Sequence, residues 1–360
     1  MHRCIELAKQ GAGYVAPNPM VGAVLVYGQR IIGEGFHEQF GDAHAEVNCV
    51  NSVGKEDEHL IDQSILYVSL EPCAHFGKTP PCADMIIRKK ITKVVIGCRD
   101  SFKEVDGKGI EKLLAAGIDV VQSVLEKECK NMNRRFFTFH TKHRPYIILK
   151  WAQSNNAKIA GMGLQRVFIS NEFTNRIVHK WRSEEAAILV GTNTALTDDP
   201  ELNVRWWNGL SPIRLLVDMD LRLPATLKIF NGHAKTIIFN TVRHEETDNL
   251  IYYQVTTDVS LVHQIANALY HLKIQSVMVE GGAKLLQSFI DEGIWDEARV
   301  IENGELIVDR GLNAPELDDG VLLFNEKIFS DTIQYYKNLN ARNALPYWKH
   351  RAYILSHIVF

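Results

Sequence analysis

Long hydrophobic runs are missing from this chain, and with them the roughly 20 consecutive apolar residues that a membrane-spanning helix needs. A secretory leader is not what the first residues lead us to expect: Met1 to Gly11 sets His2, Arg3, Glu6 and Lys9 among apolar positions, which reads as an amphipathic helix. These absences lead us to expect a cytoplasmic protein with no membrane partner. Excess charge of one sign is lacking as well. Forty Lys and Arg against 43 Asp and Glu leave a formal charge of -3, and no basic and aromatic strip is present, so nucleic acid is not the expected partner. Cysteine is too sparse for a disulfide framework: six in 360 residues suggest reduced thiols or metal ligands. Internal repeats and low-complexity segments are not found. Nor does any Gly-x-Gly-x-x-Gly follow a strand, so residue patterning alone identifies no dinucleotide cofactor.

What the chain does hold is the composition of a globular protein, and 360 residues exceed what one hydrophobic core usually organises, which predicts two domains. Strand patterns at 21–27 and 30–36 precede a helix from Ala43, a strand at 65–70, a helix near 81–89, a strand at 93–97, a helix near 109–116 and a short strand at 118–121. This βα rhythm predicts a sheet covered by helices. A polar helical stretch from Glu126 to His140 leads to His143-Arg144-Pro145, where the pattern breaks. We set the boundary there, giving domains 1–143 and 144–360. The second half alternates again: strands at 146–151, 186–191, 213–218, 236–240 and 276–280, and helices at 171–183, 261–272 and 283–292. The strand at 276–280 runs into Gly281-Gly282 before a helix, an arrangement that lets a phosphate approach backbone amides. The region 304–344 has weak periodicity and defines no element, and an apolar strand is predicted at 353–360.

The densest chemistry lies in the first half. His44-Ala45-Glu46 opens a helix, and Pro72-Cys73 with Cys82 follows a strand, so one imidazole and two thiols make a zinc-type donor set. Three protein donors leave a fourth tetrahedral position for water, whose pKa a catalytic zinc lowers to about 7. Glu46, two residues from the histidine and not needed as a donor, is placed to move protons between water, ring nitrogen and departing amine. Zinc deaminases carry His-x-Glu followed by Pro-Cys-x-x-Cys; here eight residues separate the cysteines. The plain alternatives are a capping or core histidine with two buried thiols, or a closed structural site with Cys49 or His75 as fourth donor.

Those residues sit in a longer pattern: Pro17-Asn18-Pro19-Met20-Val21-Gly22, His37, His44-Ala45-Glu46, and Pro72-Cys73 through Pro80-Pro81-Cys82. The pattern closely resembles the bifunctional deaminase-reductase family of riboflavin biosynthesis. That resemblance implies a cytidine-deaminase-like three-layer α/β/α domain followed by a dihydrofolate-reductase-like α/β domain. It implies that Asn18, His37, His75 and Lys78 recognise a diaminopyrimidinone carrying a ribosyl phosphate. The match extends through Leu149-Lys150-Trp151-Ala152, Ala187 to Thr192, Asp198 to Arg205 and Val279-Glu280-Gly281-Gly282. By the same resemblance the second domain uses NADPH to reduce the opened ribosyl group to ribityl. Arg182, Leu202, Arg205 and Glu280 would contact its substrate, with both arginines reading the phosphate through paired hydrogen bonds. Ala152, Phe168, Thr194, Asp198 and the Gly281-Gly282 turn would line the cofactor, and Lys150 would act near the reacting sugar opposite Glu280. A homodimer through the reductase domain is also implied.

The chain departs from the family's usual pattern in four places. Ser154-Asn155-Asn156-Ala157-Lys158 replaces Ser-Leu-Asp-Gly-Lys, Phe168 stands for a common tryptophan, Arg166 for a small polar residue, and Glu302-Asn303-Gly304-Glu305 opens an unfamiliar tail. Two other readings stay open on the residues alone. One is a zinc deaminase of another base or nucleoside with a degenerate reductase domain; the other is a zinc-stabilised protein that holds a nucleotide without turnover.

Overall fold

The computed structural model describes residues 1–76, 80–102, 105–162 and 167–343, and the chain divides between Thr141 and Lys142 into two compact units. The predicted strand at 353–360 lies outside the described residues, as do Lys78 and Arg166.

The first unit runs α1 (His2–Ala8), β1 (Gly22–Tyr27), β2 (Arg30–Phe36), α2 (Ala45–Asn51), β3 (Ile65–Leu70), α3 (Cys82–Arg88), β4 (Lys93–Cys98), α4 (Lys108–Ala115), β5 (Asp119–Val121), α5 (Glu126–Met132) and α6 (Arg134–Lys142). Its sheet has the order β2-β1-β3-β4-β5, with β3, β4 and β5 parallel. Alternation along β1 sends Ala23 and Leu25 to one face and Val24 to the other. On the first face, Cys49 and Val50 of α2, Met85 and Ile86 of α3, and Ile110 and Leu113 of α4 complete a core. On the other, Ile5 and Ala8 of α1 and Cys129 and Met132 of α5 pack with Leu70 and Cys98. Three layers result, as the resemblance implied. The single polar helix expected from Glu126 to His140 is two helices. Asn133 interrupts it, because its buried side chain accepts from the Met20 amide and donates to the Met20 carbonyl, both at 2.8 Å.

The second unit runs β6 (Tyr146–Ser154), β7 (Lys158–Gly161), α7 (Glu172–Glu184), β8 (Ala187–Gly191), α8 (Thr192–Asp198), β9 (Ile213–Val217), β10 (Thr236–Asn240), β11 (Glu245–Glu246), β12 (Leu250–Gln254), α9 (Leu261–His271), β13 (Ser276–Gly281), α10 (Ala283–Asp291), β14 (Glu297–Asn303), β15 (Gly311–Asn313), β16 (Gly320–Ile328) and β17 (Asp331–Asn338). Ten strands form one sheet, β11-β12-β10-β9-β8-β13-β6-β14-β17-β16, whose middle seven are parallel. Interior parallel strands bury both faces: Ile147 and Leu149 meet α9 and α10, while Tyr146 and Ile148 meet α7 and α8. Helix α7 starts where Asn171 caps it, accepting from the Thr174 amide at 3.0 Å. Strand β14 and the β16–β17 hairpin are elements the sequence reading does not contain. No helix of the described residues is long and apolar enough to cross a membrane.

One buried side chain in the first unit ties the sheet to the turn that follows β3. Glu71 is 4% exposed and accepts four backbone hydrogen bonds, from Asp100, Gly107, Gly109 and Ile110, at 3.0 to 3.2 Å. The clamp draws α4 so close that a Cβ on Gly109 would lie 1.9 Å from the Pro72 carbonyl oxygen, one residue before Cys73. Glu71→Ala strands four amides in a buried place and is expected to cost the first unit about 3 kcal/mol or more. Urea unfolding, with hydrogen exchange of the Gly107, Gly109 and Ile110 amides as local reporters, measures the loss; a change under about 1 kcal/mol contradicts the clamp.

Candidate functional site

In the first unit the chain brings His44, Cys73 and Cys82 to one point. His44 is the residue before α2, and Glu46 occupies that helix's first turn. Cys82 begins α3, and the backbone turns so that the Cys82 amide donates to the Cys73 sulfur at 3.3 Å and the Ala83 amide to the Cys73 carbonyl at 3.1 Å. The His44 Nδ1 lies 3.5 Å from the Cys73 sulfur and 3.4 Å from the Cys82 sulfur. Zinc with ordinary Zn–N and Zn–S lengths in tetrahedral geometry sets N···S edges of about 3.6 Å, so the spacing of these three atoms fits the ion. Among the described residues, no other His, Cys, Asp or Glu belongs to this cluster. The closed site with Cys49 or His75 as fourth donor is therefore not what the structure holds.

Within the cluster only Cys73 is shifted toward the thiolate form that zinc binds. A hydrogen bond from the Cys82 thiol, followed by His44, holds the Cys73 thiol down at about 4, and the same bond pushes Cys82 well up. The hydrogen bond to Cys73 raises His44 in turn. Glu46 is 3% exposed; burial, reinforced by the charge on Cys73, raises its carboxyl to about 7. A carboxyl poised there can both take and give a proton at neutral pH.

Two of the predicted recognition residues flank this point as a pair. The His37 ring meets the His44 ring edge-on at 5.4 Å, and burial lowers its pKa, keeping it neutral. Its Nδ1 lies 3.1 Å from the Ala43 carbonyl and so carries the proton; its Nε2 then accepts from the Asn18 amide nitrogen, also at 3.1 Å. His75 packs edge-on to Phe102 at 6.1 Å, and its buried Nδ1 has no hydrogen-bond partner.

The second unit holds a cavity of about 790 Å³. Around it the structure gathers every residue expected there: Lys150, Ala152, Phe168, Arg182, Thr194, Asp198, Leu202, Arg205, Glu280, Gly281 and Gly282. Glu280 ends the buried run of β13, beside Lys150 on β6 and Arg182 on α7. Burial alone would raise its carboxyl, but Arg182 and Lys150 outweigh it and hold the group at about 2. The Arg182 Nε and Nη2 each donate to Glu280 at 2.7 Å, and the Lys150 ammonium stands 3.7 Å away. This changes one expectation: the planar fork of Arg182, assigned to a phosphate, is occupied by Glu280. Arg205 keeps a half-exposed side chain, bonded through Nη1 to Asn203 and Glu201. The Gly281-Gly282 turn leaves room that a side chain would fill, since a Cβ on Gly282 would come within 3.2 Å of the Thr194 hydroxyl. Phe168 lies 77% exposed at the rim. A long dinucleotide with a charged centre and a flat ring is compatible with this lining.

Residue patterning missed two side chains that shape these sites, Glu71 and His179. Neither falls in a metal or catalytic motif; their partners are backbone amides distant in sequence, and no local pattern announces that.

The profile of the family described as cytidine and deoxycytidylate deaminase zinc-binding region matches residues 1–98, and that of the RibD C-terminal domain matches residues 145–303. The chain is 39% identical to the riboflavin biosynthesis protein RibD of Aquifex aeolicus over 322 residues, 88% of this chain and 89% of that protein. It is 34% identical to the RibD of Actinobacillus pleuropneumoniae, over 91% of this chain and 89% of that one. Among solved structures, a diaminohydroxyphosphoribosylaminopyrimidine deaminase/5-amino-6-(5-phosphoribosylamino)uracil reductase from Thermotoga maritima superposes with a TM-score of 0.85 at 36% identity, covering 94% of this chain and 97% of that one. RibD of Acinetobacter baumannii gives 0.84 at 30% identity, over 93% and 97%. The chain belongs to the RibD family, as a bifunctional deaminase and reductase of riboflavin biosynthesis that works with zinc in its first domain and NADPH in its second.

Proposed function

We propose that residues 1–143 deaminate 2,5-diamino-6-ribosylamino-4(3H)-pyrimidinone 5′-phosphate and that residues 144–360 reduce the ribosyl group of the product to ribityl. The observation that carries the first half is the convergence of one imidazole nitrogen and two sulfurs beside a buried carboxyl. His44, Cys73 and Cys82 hold the zinc, which when bound lowers the pKa of water and so supplies a nucleophile near neutral pH. Glu46 takes the proton from the attacking water, gives it to the ring nitrogen, and carries a second to the leaving amine as ammonia departs. Asn18, oriented by His37, offers a hydrogen-bond acceptor to the amino-substituted ring, and His75 and Lys78 would contact the same substrate, as the family resemblance implies.

In the second domain Ala152, Thr194 and the Gly281-Gly282 turn would hold NADPH, which would supply hydride to the opened sugar carbon. The chain's own part is to place that carbon: the ammonium of Lys150, held by Glu280, can protonate the sugar oxygen as the ring opens. Arg182 fixes Glu280 and stands beside the substrate, while Arg205 and the Leu202 backbone region meet the phosphate. Ala152, Phe168, Thr194, Asp198, Gly281 and Gly282 line the cofactor. A cytoplasmic location accompanies this reading, since NADPH and phosphorylated sugars do not cross membranes unaided.

Homodimerisation through the reductase domain is part of the same proposal. Strand β16 lies at one edge of the ten-stranded sheet and exposes Val321, Leu322 and Leu323 in succession, an apolar edge that a second copy would cover.

Two measurements test the proposal. With the diaminopyrimidinone phosphate as substrate, Glu46→Gln should abolish ammonia release, by a factor of about 100 or more, while the purified protein keeps its zinc; ammonia release at the native rate removes Glu46 from the chemistry, and NADPH oxidation that starts without prior deamination overturns the order. Light scattering should give a mass twice 40.8 kDa, reduced to the single-chain value by Leu323→Lys; a monomeric native protein overturns the dimer.

A further inference from the structure

A buried histidine lines the reductase cavity and has no part in the reading above. His179 projects from α7, is 3% exposed and lines the cavity beside Arg182 and Arg205. Its Nδ1 accepts the backbone N–H of Arg205 at 3.1 Å. A ring nitrogen that accepts carries no proton, so the imidazole is neutral there, with its hydrogen on Nε2. Burial, followed by the charges of Arg182 and Arg205, lowers its pKa to about 4, which keeps that tautomer through the neutral range.

The loop held by this bond is otherwise internally tied. Within it, Arg205 Nη1 donates to the Asn203 side-chain oxygen at 2.7 Å and to Glu201 at 3.1 Å, Asn203 donates to the same Glu201 carboxylate at 2.8 Å, and the Val204 amide donates to the Ser211 hydroxyl at 3.1 Å. It meets α7 through the His179 bond, a longer one of 3.4 Å from Arg182 to the Asn203 carbonyl, the tilted packing of the Trp206 ring on His179 at 5.0 Å, and the burial of Leu202 with Val178 and Trp181. Leu202 is held in the left-handed region at φ 50°, a conformation that an apolar side chain keeps only where its surroundings impose it. Among these contacts the His179 bond is the one made to the backbone of Arg205 itself, so its loss frees that residue most directly.

We propose that His179 is a positioning residue of the reductase: by accepting the Arg205 amide it anchors the 202–206 loop to α7 and fixes where the Arg205 guanidinium meets the substrate phosphate. The proposal rests on the reading that Arg205 binds that phosphate. It also explains why the histidine must be neutral, because an imidazolium would present a donor to the Arg205 N–H and open the joint.

The test uses the full chain with the deaminated intermediate as substrate and saturating NADPH, comparing H179A, H179N, R205A and the H179A/R205A double variant; NADPH binding, followed by quenching of protein fluorescence, checks that the second unit is folded. His179→Ala should raise KM roughly tenfold with kcat within about twofold. His179→Asn, whose Oδ1 can sit near the place of Nδ1 and accept, should recover most of that loss. On the Arg205→Ala background, His179→Ala should add less than about twofold, because it acts through Arg205. Full additivity shows that the ring touches substrate itself and overturns the proposal, as does an Asn variant no better than Ala. If Arg205→Ala alone leaves KM unchanged, the phosphate reading fails first and the proposal falls with it.

Discussion

A carboxylate removed from water must be met by donors or its burial undoes the fold, and each unit of this protein places one at the end of an interior strand. Glu71 follows β3 and Glu280 lies near the end of β13. In the first case the donors are the backbone amides of Asp100 and Gly107, between β4 and α4, and of Gly109 and Ile110 in the first turn of α4, which brings α4 against Pro72 and settles the turn carrying Cys73. In the second they are Arg182 and Lys150, which fixes the relation of α7 and β6 to the Gly281-Gly282 turn. The functional side chains are thus set by elements that cannot shift without exposing or stranding a charge. Packing alone would tolerate small slips of helix on sheet; a hydrogen-bonded carboxylate does not.

The readable parts of this chain are those where function is a property of residue type over a short span. His44, Glu46, Cys73 and Cys82 are identifiable because few other side chains can bind zinc and shuttle a proton, and their elements follow local periodicity. The interior strands at 65–70 and 236–240 appear at their predicted bounds because interior strands read as apolar runs, and the edge strand at 30–36 also falls at its predicted bounds. What could not be read depends on partners far along the chain. Asn133 breaks a helix because Met20 is across from it. Strand β14 alternates Glu297, Arg299 and Glu302 with Ala298, Val300 and Ile301, a mixture that reads as neither a buried nor a half-exposed strand, yet it pairs with β6 in the sheet interior. Its Arg299 donates through Nε to Glu297 at 2.6 Å and lies over the Trp181 ring at 4.7 Å, while its buried Nη1 has no hydrogen-bond partner among the described residues. Strands β16 and β17 are an antiparallel addition whose outer member is mostly exposed, so no burial pattern marked it.

Two departures from the family's usual sequence, separate in the chain, answer each other in space. The Asn155 side chain donates to the Gly304 carbonyl at 2.8 Å and its amide donates to the Leu306 carbonyl at 2.9 Å. Asn156 donates to the Val308 carbonyl at 2.9 Å and accepts from the Val308 amide at 3.2 Å. The unfamiliar stretch after Asn303 is thus laced to the turn between β6 and β7 by the very residues that replaced the usual Leu-Asp. Ala157 occupies a positive φ of 55°, where glycine would be unstrained, and its carbonyl accepts from Ala314 at 2.8 Å. The turn keeps the left-handed conformation that the family's glycine would favour, and its new side chains supply the bonds that hold it. A loss of a carboxylate in sequence is here a change of partners, and β7 still forms part of the cavity wall through Ile159, Ala160 and Gly161.

Charge counting around Glu280 bears on which sugar the second domain can take. Lys150 and Arg182 both face the Glu280 carboxylate, and Arg205 lines the same cavity, so positive charge is concentrated in its wall. Positive charge gathered in one place favours an arriving anion. Arg182 cannot rotate to meet the anion without giving up both of its 2.7 Å bonds and leaving Glu280 with the more distant Lys150 alone. The group left to approach a phosphate is Arg205, whose partners Glu201 and Asn203 are at the surface and exchange readily with water. The interior therefore supplies the field and the loop supplies the contact. This lining favours a phosphorylated sugar over an unphosphorylated one.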